Sequence, residues 1–323
     1  MSRKKKAPTK AYVSTNTIKQ YITLGSTDYW HLQYPLNRDW ETYFWDMSDK
    51  ARLCRLDRDD KGITTYYGED GQTYYSMIET GQYAMASYQM YLQTKEQYWK
   101  DECAQHLDFI RGQIQPFRQA THALLNQYPH ALYNLRGTWP SALAYGIIIS
   151  SLIRYGELFS DPTAIVDAKV LAENYLLDVE NGGVRRSIDE WNLTLLEEYP
   201  KEGETTGVLN GHITALWSLY DLGRYEAQYR KLYDSWATEL ATNIHLWVGK
   251  YWSYYDILAA CGKRKNLASI HYHMLHIRQL MILYRQSGHI QFAETAERFI
   301  RDKYSLTSRI RAFTGKVTMR LLG

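Results

Sequence analysis

The chain has 323 residues with 38 Lys and Arg against 35 Asp and Glu, a net charge of +3, and is long enough to bury a large core as one body or two small ones. Three widely spaced cysteines, Cys54, Cys103 and Cys261, argue against a disulfide framework. Glycine-rich phosphate loops and CxxC or HExxH spacings are lacking, which excludes the common nucleotide-binding and zinc-hydrolase signatures.

Residues 1–20 read as a disordered basic tail, with Arg3, Lys4, Lys5, Lys6 and Lys10 and no acid in the first ten positions. APTKAYVSTN follows where a signal peptide would need an apolar segment. The far end mirrors this charge: Arg301, Lys303, Arg309, Arg311, Lys316 and Arg320 stand against Asp302. Basic ends on an acidic body suit an anionic surface, lipid or polymer, as well as they suit plain solvated tails. No apolar run is read as long enough to span a bilayer. With the cysteine usage, this predicts a cytoplasmic protein, with peripheral attachment at the inner membrane face as a further expectation.

From residue 21 to 74 the pattern is irregular and rich in aromatics (Tyr29, Trp30, Tyr43, Phe44, Trp45), with turn chemistry at 57–60 and 68–71. It predicts an N-terminal extension packed on the body. After it, helices rich in small and apolar residues begin near Tyr75, Pro140, Gly207 and Ile270, about 65 residues apart. Each is followed, after a short turn, by a more amphipathic helix. Trp99, Cys103, Leu107, Ile110 and Ile114 form one stripe in the first of these, and Tyr225, Tyr229, Leu232, Trp236 and Leu240 another in the third. The repeat predicts an all-α fold, an (α/α) toroid or barrel of about four helical hairpins over residues 75–305, with 306–323 as a basic tail or last helix.

Connections within hairpins are short, whereas those at 115–138, 180–205 and 243–269 run to about 25 residues, a length uncommon in compact domains unless it is functional. In a toroid these three open on one rim. They bring Trp139, Glu197, Glu198, Tyr199, Tyr254, Tyr255 and Asp256 there, and Tyr272 begins the next inner helix. In the second connection Pro200 rules out mid-helix geometry, and Thr205 or Thr206 is the expected N-cap of a helix over 207–221. The 29 tyrosines and 10 tryptophans fill core, and also suit a groove where sugar faces stack on rings.

Three ordered stretches carry a resemblance: EEYP, VLNG and SLYDL within 197–222; TWPSALAYGIIISSLIRY at 138–155; and Tyr255-Asp256 through Asn266-Leu267-Ala268 to YHMLHIRQL at 272–280. They resemble the C-terminal domain of the D-glucuronyl C5-epimerases, which convert glucuronic into iduronic residues in heparosan-type polysaccharides. The likeness covers about 138–283, with a weaker echo at 80–94. It implies a toroid that works without a cofactor on a uronic-acid-containing glycan. It also implies proton transfer by Glu198, Tyr199 and Tyr272, with Tyr255 as a further catalytic tyrosine.

Trp139, Asn210, His273, His276, Arg185 and Arg264 are the expected substrate-binding residues, the two histidines orienting a tyrosine or holding sugar hydroxyls. Where the animal epimerases carry an arginine two residues after Tyr-Asp, this chain has Leu258. Lys263, Arg264 or the Arg185-Arg186 pair must then supply the clamp for the substrate carboxylate. His271, His273, His276 and Cys261 do not converge on one helix face, so no metal is expected. Nucleic acid is not an expected partner, and the reading admits a homodimer. Two alternatives share the groove: a polysaccharide lyase, if the C5 carbanion expels the C4 substituent, and a glycan-binding relative without the reaction.

Overall fold

The computed structural model describes residues 15–24, 40–53 and 56–322. Tyr29, Trp30 and the basic residues 1–10 lie outside them. In chain order the elements are α1 (Thr15–Thr23), α2 (Ser48–Leu53), β1 (Tyr66–Tyr67), β2 (Thr73–Tyr74), α3 (Met77–Thr94), α4 (Gln97–Arg111), β3 (Gln115–Phe117), β4 (Ala120–Ala123), α5 (Ala142–Phe159) and α6 (Pro162–Ala172). There follow β5 (Arg185–Ile188), β6 (Leu193–Leu196), α7 (Leu209–Leu222), α8 (Ala227–Asn243), α9 (Ile270–Ser287), α10 (Ile290–Tyr304) and α11 (Leu306–Leu322).

Local chemistry sets most helix ends. Ser76, Ser141 and Ser269 cap α3, α5 and α9 by accepting the N–H three residues on, and Asp161 with Pro162 opens α6. Gly288, at φ 76, closes α9 in the left-handed region that favours glycine.

The hairpins α3–α4, α5–α6, α7–α8 and α9–α10 give an (α/α) toroid architecture in which the inner helices α3, α5, α7 and α9 pack one on the next in chain order. The inner helices α3, α5 and α7 are buried nearly all round, α9 leaves Met281, Tyr284 and Arg285 exposed, and the outer helices are buried on one stripe. Between α5 and α7 the backbones approach closely: a Cβ on Gly146 would lie 2.6 Å from the Thr214 carbonyl oxygen. The fully buried Arg154 and Asp221 lock the same pair, with Arg154 Nη2 3.1 Å from Asp221 Oδ1. By length and composition α5 could cross a membrane, which the sequence reading did not register; it is instead a core helix packed against α3, α6 and α7.

Two expectations change. The connections between hairpins are not plain loops: β3–β4 and β5–β6 form antiparallel pairs within them, because backbone groups next to a packed core must find partners. Residues 15–20 are helical where a disordered tail was expected. Tyr21 anchors α1, its buried ring 5.4 Å from that of Phe313 and its hydroxyl accepting the Ile270 N–H at 2.9 Å. Residues 306–322 are the helix α11, which packs on α1 and α10.

Candidate active site

Strand β6 delivers two adjacent carboxylates to the rim, and they have opposite fates. Glu197 is fully buried and saturated. It accepts Thr205 Oγ1 at 2.6 Å, the Thr206 N–H at 3.0 Å, Thr206 Oγ1 at 2.5 Å and the Gly207 N–H at 2.9 Å, with Arg186 Nε 3.7 Å away. It closes the 197–207 loop. Thr205 and Thr206 therefore do not cap α7 as expected: a carboxylate acceptor outcompetes the helix end, and α7 starts at Leu209 with Val208 as an N-cap lacking a side-chain bond.

Glu198 is as deeply buried but has weaker company. Asn210 Nδ2 donates to its Oε2 at 2.9 Å. Burial pushes its pKa up to about 8, while hydrogen bonding from Tyr199, Asn210 and Tyr255 pulls the other way. Gly211 makes the room, since a Cβ there would lie 2.5 Å from Glu198 Cβ. At neutral pH this carboxyl is poised to hold or release a proton.

Two phenols, Tyr199 and Tyr255, hydrogen-bond it, and a third, Tyr272, packs on Tyr255. Tyr199 follows directly in the chain, Tyr255 comes from the next connection, and Tyr272 stands in the first turn of α9, where Ser269 Oγ accepts its N–H. The Tyr255 and Tyr272 rings meet edge to face with centroids 4.7 Å apart. Burial first, then the charge of Glu198, raises Tyr199 and Tyr255 well above the ordinary phenol value. The three residues expected to carry proton transfer and the further tyrosine, Tyr255, are thus brought together.

An aromatic wall backs this centre. Tyr199 stacks on Tyr133 at 4.7 Å and 22°, and lies 4.3 Å from the His130 ring and 5.5 Å from Trp139. Trp139 is fixed by its Nε1–H to the Tyr128 carbonyl at 2.8 Å. Tyr133 donates to Asp256 Oδ2 at 2.8 Å, which also accepts Asn266 Nδ2 at 2.6 Å. The sequence reading did not single out His130 and Tyr133. Their signal was the aromatic density of YPHALY at 128–133, inside a connection already flagged by its length.

Of the other expected binding residues, Arg264 reaches the wall, with its guanidinium 5.6 Å over the Tyr133 ring and Nη2 on the Leu132 carbonyl at 2.8 Å. Arg185 pairs with Asp178 at 2.8 Å and is not joined to the Glu198 group. Lys263 pairs with Glu204 at 2.8 Å. Leu258 is buried in the core, its N–H on Asp256 Oδ1 at 3.2 Å.

His273 is fully buried, and both of its ring nitrogens have partners within the protein. Its Nδ1 lies 2.8 Å from Ser253 Oγ, its Nε2 2.9 Å from the Phe299 carbonyl, and its ring stacks on Trp252 at 3.6 Å. Both nitrogens are spent on packing, and burial lowers its pKa to about 3. His276 is equally buried, with Nδ1 3.2 Å from the same Ser253 Oγ.

Fold and site together define a class: an (α/α) toroid whose rim holds a buried carboxyl and neighbouring phenols against a wall of aromatic side chains. The model of the family described as the D-glucuronyl C5-epimerase C-terminus matches residues 120–301, more than half the chain, and the chain belongs to that family. A D-glucuronyl C5-epimerase of Caenorhabditis elegans is 28% identical over 183 residues, 51% of this chain and 29% of that protein. An uncharacterized protein of Methanocaldococcus jannaschii is 30% identical over 161 residues, 49% of this chain and 50% of that one. The chain therefore spans half or less of these relatives. A family 76 glycoside hydrolase (mannosidase) of Bacteroides thetaiotaomicron superposes with a TM-score of 0.43 at 16% identity, over 69% of this chain and 56% of that one.

Proposed function

We propose that this protein is a cofactor-independent uronosyl C5-epimerase, converting D-glucuronosyl to L-iduronosyl residues in a polysaccharide or lipid-linked glycan. The observation that carries the reading is Glu198, a buried carboxyl with its pKa near 8 that interacts with the phenols of Tyr199 and Tyr255. Epimerisation at C5 needs a proton removed from one face of the ring and one returned to the other, with the electron pair held meanwhile in the carboxylate as an enediolate. A phenol alone is a poor base at neutral pH; Glu198 removes that difficulty in its ionised form, which a pKa of about 8 makes the minor form at neutral pH and which grows as pH rises.

Tyr199 takes the C5 proton as its own phenolic proton passes to the Glu198 carboxylate. Tyr272 then protonates C5 from the opposite face. The proton on Glu198 returns to the Tyr272 phenolate through Tyr255, whose ring lies between the two in contact with Tyr272. Protons balance over the cycle, so no redox group is required. Tyr133, His130 and Trp139 form the wall along which the sugar face lies, and Arg264 supplies positive charge beside it.

Incubation with a glucuronan-type polymer in deuterated water should place deuterium at C5. No exchange, under conditions where a known epimerase exchanges, would overturn the reading. Leu258 favours a second one, a glycan-binding relative without the reaction, because the usual arginine is replaced by a core residue. Tight glycan binding with no exchange is its signature.

A further inference from the structure

Gln279 stands in the YHMLHIRQL stretch, about two turns along α9 from Tyr272, and is fully buried. Its side chain crosses to the first turn of α7. There Nε2 lies 3.1 Å from the Asn210 carbonyl oxygen and 3.3 Å from Thr214 Oγ1, and Thr214 Oγ1 itself donates to the Asn210 carbonyl at 2.7 Å. A carbonyl oxygen only accepts, so the Gln279 amide must present its N–H groups to α7, and its orientation is fixed.

This hold matters because α7 opens on Val208 with no side-chain cap. The place of its first turn therefore depends on partners outside the helix. One is the Tyr255 carbonyl, which accepts the Leu209 N–H at 3.2 Å; another is Gln279. The same turn carries Asn210, whose Nδ2 donates to Glu198 Oε2 at 2.9 Å, and Gly211, where a Cβ would lie 2.5 Å from Glu198 Cβ. With contacts this close, a small shift of the turn takes the Asn210 amide off the carboxyl. A hydrogen bond donated to a carboxyl favours its ionised form.

We propose that Gln279 is a positioning residue: by holding the Asn210 carbonyl it keeps the Asn210 amide on Glu198, and so sets the pH at which Glu198 becomes a carboxylate. The other groups that face Glu198 are the phenols of Tyr199 and Tyr255, which hydrogen-bond it, the phenols of Tyr128 and Tyr133 from the connection before α5, and the neighbouring carboxylate Glu197. On α7, His212 is turned to the Leu196 N–H, and on α9, Tyr272 packs on Tyr255. Gln279 touches none of these, so its effect runs through Asn210. The consequence for turnover rests on the epimerase reading; the effect on Glu198 does not.

The full-length protein, isotope-labelled at its glutamate side-chain carboxyls, is titrated by NMR, with the Glu198 signal identified by its loss in Glu198→Gln. Gln279→Met is close in shape and has no donor. It leaves the Asn210 carbonyl its bond from Thr214 and removes Gln279 Oε1, which is buried without a partner among the described residues. It should therefore fold, as a thermal melt will show, and Gln279→Leu takes its place if it does not. The Glu198 midpoint should rise by about 0.5–1 pH unit in Gln279→Met, the size of one weakened hydrogen bond to a charged group. In an Asn210→Ala background, adding Gln279→Met should move it by less than about 0.3 unit. The rising limb of kcat/KM against pH should shift upward with the NMR midpoint. An unmoved midpoint in Gln279→Met, or an equal shift with and without Asn210, would overturn the proposal. If the midpoint moves only when Asn210 is present, in a protein that gives no C5 exchange, the positioning role stands and the epimerase reading fails.

Discussion

Lys316 Nζ lies 2.8 Å from Asn266 Oδ1, so the last helix of the chain is hydrogen-bonded into the network behind the reaction centre. Asn266 is thereby oriented with its amide N–H groups toward Asp256, Asp256 accepts Tyr133, and Tyr133 stacks on Tyr199. Lys316 also donates to the Leu267 carbonyl at 2.8 Å. From the sequence, residues 306–323 read as a basic tail or last helix; the structure makes them a helix tied into this network. Lys316→Met should leave the buried Asn266 oxygen unsatisfied, lowering stability by about 1–3 kcal/mol. It should lower kcat several-fold with little change in KM. Urea unfolding and steady-state kinetics check both, and an unaltered kcat would confine Lys316 to packing.

Glu198 ties stability to pH with a definite sign. Its folded pKa is raised from the ordinary 4.5 to about 8 by burial. Between those values the folded protein holds a proton that the unfolded chain has released, so stability falls as pH rises through the window, by about 1.4 kcal/mol per unit. The buried histidines His273 and His276, with pKa lowered to about 3 by burial, act in the opposite direction and only below their ordinary value of 6.5. Urea unfolding at pH 6.5–8 should therefore show wild type losing stability relative to Glu198→Gln. Parallel curves would mean that Glu198 is ionised throughout.

Tyr272→Phe keeps the ring that packs on Tyr255 and removes the hydroxyl. As a proton-transfer group Tyr272 should account for at least ~10²-fold in kcat, with the melting temperature nearly unchanged because the ring contact survives. Isotope exchange at C5 separates steps: exchange retained without net epimerisation would place Tyr272 on the returning face.

His273→Ala should behave as a core mutation. It removes the stack on Trp252 and the bonds to Ser253 and the Phe299 carbonyl that join α9 to the connection before it and to α10. A loss of about 2–4 kcal/mol is expected, with KM for the residual folded enzyme close to wild type. A selective rise in KM without destabilisation would return His273 to the substrate.

Sequence alone determined what is local or periodic in this protein. The starts of α5 and α9 were read near Pro140 and Ile270 from the run of small and apolar residues that begins there, as was the repeat that sets the toroid. The motif residues Glu198, Tyr199, Tyr255 and Tyr272 were also legible, through the resemblance of their motifs to the epimerase family and through the repeat, which places their connections at one rim. Tertiary structure decided what depends on distant partners. Glu197 and Glu198 are the same residue type at adjacent positions just past β6, yet they meet different partners. One meets Thr205, Thr206 and Gly207 and is satisfied; the other meets Asn210 and two phenols. His273 sits in the same short motif as Tyr272, but its surroundings are Trp252, Ser253 and the Phe299 carbonyl. Burial and hydrogen-bond partners, which set pKa and role, are properties of the packed chain, and no pattern within one segment carries them.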